Sequence, residues 1–428
     1  MGKPLERTSQ FSGFYKLTPE QRLDFVKNFA GLTDEEVSAI KAQSALKLED
    51  ANRMIENVIG TFPLPMGIAV NFLINKKDYL IPMAIEEPSV VAAASNAARM
   101  ARVTGGFTAI ATESFMRGQI QVVNVPDPNR AKLALLEAKE DILSKANSKD
   151  PILVSKGGGA KELEVKVLKT EVGSMVIAEI LVDCLDAMGA NAVNTMAEAV
   201  APFIEEVTGG RVYLRIISNL ADRRIARARA TFSKDVIGGE DVVDGIVKAY
   251  AFAASDPYRC ATHNKGIMNG ITAVVLATGN DTRAVEAGAH AYAARTGRYL
   301  PLTTWEKNKE GNLVGTIELP LALGIVGGLT RVHPVARANI KILGVSSSKE
   351  LAEVVASVGL AQNFAALRAL VAEGIQRGHM ALHARNIAAE VGATGELVDI
   401  VAARMMEEKA VRWDRAKQIL DELRQKKV

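Results

Sequence analysis

"GQIQVVNVPDPNRAKLALLEAKEDILSKAN", residues 118–147, decides how this chain folds. Residues 118–127 read as a strand, and 128–147 place apolar residues on one face of an amphipathic helix. Next comes "ELEVKVLKT" (162–170), alternating as a half-buried strand does. "SMVIAEILVDC" (174–184) is a second strand after a short turn. "NAVNTMAEAVAPFIEEVTGG" (191–210) is a helix closed by glycines, and "RVYLRIISNL" (211–220) is a last strand. The order β-α-β-β-α-β is that of the split βαβ, ferredoxin-like motif. It predicts an α+β protein in which a small domain, 111–219, is inserted into a larger, mostly helical one made of 1–110 and 220–375. A charged helical segment, 376–428, follows as a separate C-terminal unit, with Gly374 and Gly378 as a hinge.

On the N-terminal side, residues 17–60 carry helical periodicity with cap signals at Thr18 and Thr33. "PMGIAVNFLINKKDYLIPMAIEEP" (65–88) reads as strand-like runs around the turn "NKKD", after which Pro88 opens an alanine-rich helix. On the C-terminal side, "DRRIARARA" (222–230) reads as a solvated helix face. Hydrophobic residues make up 48% of the 428 positions, charged residues 24%, and the net charge is +3. That balance suits a globular protein of two or three domains and implies neither a nucleic-acid partner nor any other polyanion. Apolar stretches such as "LPLALGIVGG" (319–328) are about half the length of a spanning helix, and the first residues show no apolar signal region. Cys184 and Cys260 sit in apolar contexts, as reduced buried thiols do, so a cytoplasmic protein away from the membrane is expected.

Chemistry concentrates at few positions. In "ATHNKGIMNG" (261–270) Lys265 stands among polar and small residues. It is either a lysine with a packed stem and solvated head, or a cation held in a cleft. A held ammonium can stabilise an oxyanion or form a Schiff base, and the residues alone leave both open. Glu86 and Glu87 precede Pro88, as caps of the next helix or as a proton donor delivered there. Asp281 is a natural helix N-cap that could instead serve as a counter-charge to a nearby lysine. His379, beside the expected hinge, suits a mobile general acid. No HExxH or CxxC occurs, and His379 with His383 lacks an evident third ligand, so no metal is expected. The "GGG" at 157–159 is not a Rossmann fingerprint. In "LVDCLDAMGANAVNTMAEAV" (181–200) a strand, a Met-Gly-Ala turn and a helix start follow one another, an arrangement that can seat a pyrophosphate.

Eight stretches, in order along nearly the whole chain, resemble the class II, bacterial-type 3-hydroxy-3-methylglutaryl-coenzyme A (HMG-CoA) reductases. They are "ENVIGTF" (56–62), "EEPSVVAAAS" (86–95), "DAMGANAVNTMAEA" (186–199), "DPYRCATHNKGIMNGI" (256–271), "ATGNDTRAVEAGAHAYA" (277–293), "TTWEK" (303–307), "GLAQNFAALRAL" (359–370) and "EGIQRGHMALHARNIA" (373–388). The resemblance implies Glu87 as proton donor to the carbonyl oxygen and Lys265 as the cation stabilising that oxygen. It implies Asp281 within the same network and His379 as the acid that protonates the departing thiolate. Ser89, Arg259 and Asn269 match positions that hold the hydroxymethylglutaryl portion, and Asp186, Met188, Gly189 and Asn191 match the dinucleotide turn. The implied reaction reduces HMG-CoA by two hydrides, through mevaldyl-CoA and mevaldehyde, to mevalonate and coenzyme A. The reverse reaction would serve mevalonate catabolism.

The resemblance further implies a homodimer with a shared active site, alone or as part of a larger assembly of dimers, and a C-terminal flap over that site. Asp150 matches a position where NAD-preferring relatives carry an aspartate, and Ile152 lies near an apolar one, which favours NAD(H) over NADP(H). Tyr15 stands where relatives can carry a basic side chain, with Lys16 adjacent, so no coenzyme A phosphate contact is assigned there. Two other readings compete: another NAD(P)H-dependent acyl-thioester reductase, and a non-catalytic coenzyme A-binding protein on the same scaffold. The second is disfavoured by the presence of Glu87, Lys265, Asp281 and His379 together.

Overall fold

A computed structural model describes residues 8–42, 45–372 and 376–425, with the side chains of 376–382 and 425 outside the described set. Among the described residues, ten strands form two sheets. The smaller holds β4 (Phe115–Val123), β5 (Gly159–Thr170), β6 (Gly173–Asp183) and β7 (Arg211–Ser218) in the order β5-β6-β4-β7, all antiparallel. Numbered within the unit this is 2-3-1-4, the ferredoxin-like order that the alternation in sequence predicts. Every second residue of β4 points inward, so Met116, Ile120 and Val122 meet Leu135, Ile142, Val193 and Met196 from the helices on one face. The other face is ionic: Arg117 lies 2.7 Å from Glu179, which Lys166 also reaches at 2.7 Å.

The expected helix over 128–147 is two helices, Pro128–Glu137 and Lys139–Asn147, divided at Ala138. A third, the short helix Pro151–Ser155, follows, capped by Asp150. The triple glycine that follows is a close crossing: a Cβ on Gly158 would stand 2.8 Å from the Asp183 carbonyl oxygen.

The larger sheet runs β2-β1-β3-β8-β10-β9, from β1 (Met66–Ile74), β2 (Lys77–Ala84), β3 (Phe107–Ala111), β8 (Ile225–Phe232), β9 (Thr303–Lys307) and β10 (Leu313–Pro320). Strand β8 corrects the helix expected over 222–230. Ala226, Ala228 and Ala230 are buried while Arg227 and Arg229 face solvent, a period of two rather than 3.6. Helices Pro257–Ala277 and Ser348–Ala372 pack together against this sheet. Their approach is close, since a Cβ on Gly270 would sit 2.9 Å from Gln362 Cβ. Ser348–Ala372 is the one described helix long and apolar enough to cross a membrane, and here it is the core helix, with Val354, Val355, Val358 and Phe364 fully buried.

Three C-terminal helices, Gln376–Glu390, Glu396–Glu407 and Trp413–Gln425, share their own core of Ala384, Ala388, Val401, Met405, Ile419 and Leu420. Of the expected hinge, Gly374 lies outside the described residues and Gly378 falls within the first of these helices.

Candidate active site

Asp256 caps the helix Pro257–Ala277 by accepting the Arg259 amide at 2.7 Å, and Pro257 fills its first position. One face of this helix buries Cys260, His263, Asn264, Ile267 and Met268. Lys265 stands on the other, so the cation expected in a cleft is 60% exposed within this single chain. Its Nζ donates to Glu87 Oε2 at 2.6 Å. Asn269, one turn on, donates to Glu87 Oε1 at 3.1 Å. Both carboxylate oxygens of Glu87 are thus engaged by one helix.

Glu87 is not the helix cap that its position before Pro88 suggests. The helix begins at Val90, with Ser89 as N-cap in the left-handed region at φ 74°, a conformation non-glycine residues seldom hold. The Ser89 hydroxyl makes no capping bond. Among the described residues nothing pairs with the Arg259 guanidinium.

Asp281 caps the helix Thr282–Ala293, accepting the Arg283 and Ala284 amides at 3.0 and 3.1 Å, with the Arg283 guanidinium 3.2 Å away. Its described bonds are those of a cap, and none reaches Lys265. Next to it, Asn280 brackets Gly324, taking its amide at 2.8 Å and donating to its carbonyl at 3.1 Å. Gly324 in turn lies against the Asp186–Gly189 turn, so closely that a Cβ there would be 2.7 Å from the Met188 nitrogen.

That turn is held from several sides. Asp186 Oδ1 accepts the Ser348 amide at 2.8 Å, and its carbonyl accepts the Ile325 amide at 3.0 Å. Gly189 has φ 107°, and a Cβ there would meet Cys184 Sγ at 2.3 Å, so only glycine fits. Behind it the helix Ala190–Thr208 starts with no side-chain cap and no acidic residue in its first turn, with Asn191 exposed. Free amides at such a terminus fit an anionic pyrophosphate. Burial pushes the Cys184 thiol up to about 12, an inert buried thiol.

Sequence reasoning missed Arg224. It is 5% exposed, and its Nη1 donates to the Ala187 and Met188 carbonyls at 3.1 and 3.0 Å, its Nη2 to the Leu323 carbonyl. Burial lowers its pKa to about 10. No local signal separates it from Arg223, which reaches Glu162 at the surface at 3.1 Å.

Asp150 accepts the Leu153 amide at 2.9 Å as the cap of Pro151–Ser155, while Ile152 is exposed. His379 belongs to the helix Gln376–Glu390, and its side chain lies outside the described residues. A cavity of about 1100 Å³ opens beside the helix that follows Glu87, between Met66, Gly67, Val91 and Ser95 on one side and Phe14 and Tyr15 on the other. Among the described residues, no group of three or more His, Cys, Asp or Glu is placed to hold a metal ion.

The arrangement offers a cation and a carboxyl group in direct contact, an amide steadying the carboxyl, and an open helix terminus reached through Gly324. Residues 18–384 match the sequence profile of the family described as hydroxymethylglutaryl-coenzyme A reductase. A 3-hydroxy-3-methylglutaryl-coenzyme A reductase of Archaeoglobus fulgidus is 64% identical over 97% of this chain and 95% of its own length. A probable one of Borreliella burgdorferi is 38% identical over 78% of this chain and 77% of its own. The solved 3-hydroxy-3-methylglutaryl-coenzyme A reductase of Streptococcus pneumoniae superposes with a TM-score of 0.83 at 39% identity, covering 97% of this chain and all of that one. A class II enzyme from the same organism, solved bound to NADPH in open conformations, gives a TM-score of 0.81 at 39% identity over 95% of this chain. This chain belongs to the hydroxymethylglutaryl-coenzyme A reductase family.

Proposed function

We propose that this protein is a class II oxidoreductase interconverting HMG-CoA with mevalonate and coenzyme A. The observation that carries the reading is Lys265 Nζ at 2.6 Å from Glu87 Oε2; the cavity of about 1100 Å³ along the helix that follows Glu87 is assigned to the acyl-thioester arm. When bound, a reduced nicotinamide supplies one hydride to the thioester carbonyl carbon and, after exchange, a second to the aldehyde. Lys265 meets the oxygen on which charge grows in both reductions, and Glu87 gives it a proton. Asn269 keeps the Glu87 carboxyl turned toward Lys265. The carbon–sulfur bond breaks between the two reductions, and His379 protonates the leaving thiolate. Arg259, unpaired among the described residues, and Ser89 hold the acid portion of the substrate. Asp281 stays with the network as the charge next to Asn280.

The dinucleotide lies along the Asp186–Asn191 turn, and NADH is preferred over NADPH. Asp150 keeps a carboxylate at the end of the first helical layer, where a ribose 2′-phosphate would meet like charge. Its cap bond to Leu153 uses one oxygen and leaves its charge in place. Three domains carry the work: 1–110 with 220–375 for substrate and dimerisation, 111–219 for the nucleotide, and 376–428 as the flap. Two copies share the site. The segment after Met54 supports this, with Ile59 fully exposed and Phe62 89% exposed, as does the solvent-facing Lys265. The buried, unpaired Cys184 and Cys260 suit the cytoplasm. The test is steady-state turnover in both directions, HMG-CoA reduction and mevalonate oxidation, with each nicotinamide. Absence of turnover in both directions refutes the reading.

A further inference from the structure

We propose that Arg224 is a positioning residue that sets the distance between the dinucleotide turn and the Lys265–Glu87 pair; the inference rests on the functional reading above. Arg224 sits where the chain leaves β7 of the small sheet for β8 of the large one. It is buried, yet no carboxylate forms an ion pair with it among the described residues, although Asp183 and Asp186 lie near enough to favour its charge. Burying a cation without such a partner is costly, and an apolar side chain would fill the space more cheaply if packing were the only need.

Its recorded bonds are all to main-chain carbonyls. Two, Ala187 and Met188, belong to the dinucleotide turn; the third, Leu323, belongs to the large domain. Leu323 is followed by Gly324, which Asn280 brackets at 2.8 and 3.1 Å. Asn280 precedes Asp281, and both follow directly from the helix that carries Lys265. A planar guanidinium with donors in fixed directions thus ties the turn to the carbonyl-handling side. Gly324, where a Cβ would stand only 2.7 Å from the Met188 nitrogen, closes the same joint from the opposite side. A hydride transfer is sensitive to such spacing, so a displaced turn should slow chemistry without loosening the acyl substrate.

The experiment uses full-length enzyme with Arg224→Lys and Arg224→Gln. It reads kcat, KM for HMG-CoA, Kd for the reduced nicotinamide from its fluorescence, and the primary deuterium isotope effect with 4-deuterated cofactor. In Arg224→Gln, kcat is expected to fall by roughly 30-fold or more, with KM for HMG-CoA within about twofold, and Arg224→Lys should lose less. The isotope effect on kcat should rise in both as hydride transfer becomes limiting. A loss of folded protein lowers the rate and leaves the isotope effect unchanged. Folded Arg224→Gln with wild-type kcat and isotope effect overturns the proposal. Should Arg224→Gln not fold, Gly324→Ala wedges the same joint, and an unaltered isotope effect there overturns it equally. Wild-type enzyme is the control: if it fails to turn over HMG-CoA, the functional reading falls, whatever the variants do.

Discussion

Acidifying this protein from pH 7 to 4.5 is expected to remove about 3 kcal/mol of stability through one side chain, His263. His263 is 1% exposed, behind Lys265 on the packed face of its helix. Its Nε2 lies 2.7 Å from Thr303 Oγ1, and the Thr303 hydroxyl already donates to Asn363 Oδ1 at 2.8 Å. The imidazole must therefore donate through Nε2, which leaves Nδ1 as a bare acceptor, buried with no partner among the described residues. Protonating Nδ1 would place a buried charge and an unsatisfied N–H there, and burial, with Arg259 adding a like charge, lowers the pKa to about 3. The unfolded chain, with an ordinary imidazole near 6.5, binds the proton first. Stability from this group is thus complete above pH 6.5 and declines at roughly 1.4 kcal/mol per pH unit down to about 3. Glu350, which burial would raise but Lys77, Ser346 and Tyr79 hold at about 2, loses its contribution at lower pH. His333 is also lowered by burial, but it is common to both proteins compared. The assay is urea denaturation of wild type and His263→Gln, which keeps a donor toward Thr303, at several pH values between 7 and 4.5. The wild-type curve should fall more steeply by about 3 kcal/mol over that interval. Parallel curves would refute the reasoning.

Lys265→Ala should slow hydride transfer by on the order of 3 kcal/mol or more while changing unfolding free energy by less than about 1, because the ion pair it breaks is largely exposed; single-turnover rates and denaturation on one sample check both. His379→Gln is expected to impair thioester reduction and spare mevaldehyde reduction, and equal losses in separate assays would rule out a leaving-group acid. Asp150→Ala should raise kcat/KM for NADPH relative to NADH by roughly tenfold or more if its charge faces the ribose; an unchanged ratio would show that its bond to the Leu153 amide is its whole role.

The small sheet was legible because its strands are half-buried. Alternation in 162–170 falls within β5, and the helix read over 191–210 is Ala190–Thr208. The break at Ala138 was hidden, since periodicity continues through it. Strand β8 was misread because arginine at alternate positions reads as a charged face whatever the period, and small alanines give a faint apolar signal. The resemblance names Glu87 and Lys265 as acting on one oxygen, and the structure brings the two side chains together. Apart from the resemblance the contact was hidden: Glu87 and Lys265 are 178 residues apart, and nothing local in either stretch points to the other. Arg224 and Arg223 are indistinguishable in sequence because topology alone sends one inward and the other to Glu162.

The polar residues beside Lys265 invite the idea that they are its partners, and the structure assigns them a different task. Asn264 points to the packed side, where it donates to the Leu300 carbonyl and accepts the Leu302 amide, both at 3.0 Å. His263 holds Thr303 on β9. Gly270 lets the same helix close onto Gln362. Each contact resists rotation of the helix about its axis, and together they fix which residues face outward. Lys265 and Asn269, four apart, then share one face and reach the two oxygens of one carboxylate. A solvent-exposed ion pair contributes little to stability. The catalytic role proposed for it asks for a fixed geometry, and the rigidity for that is supplied from behind, by buried polar groups on the packed face of the helix.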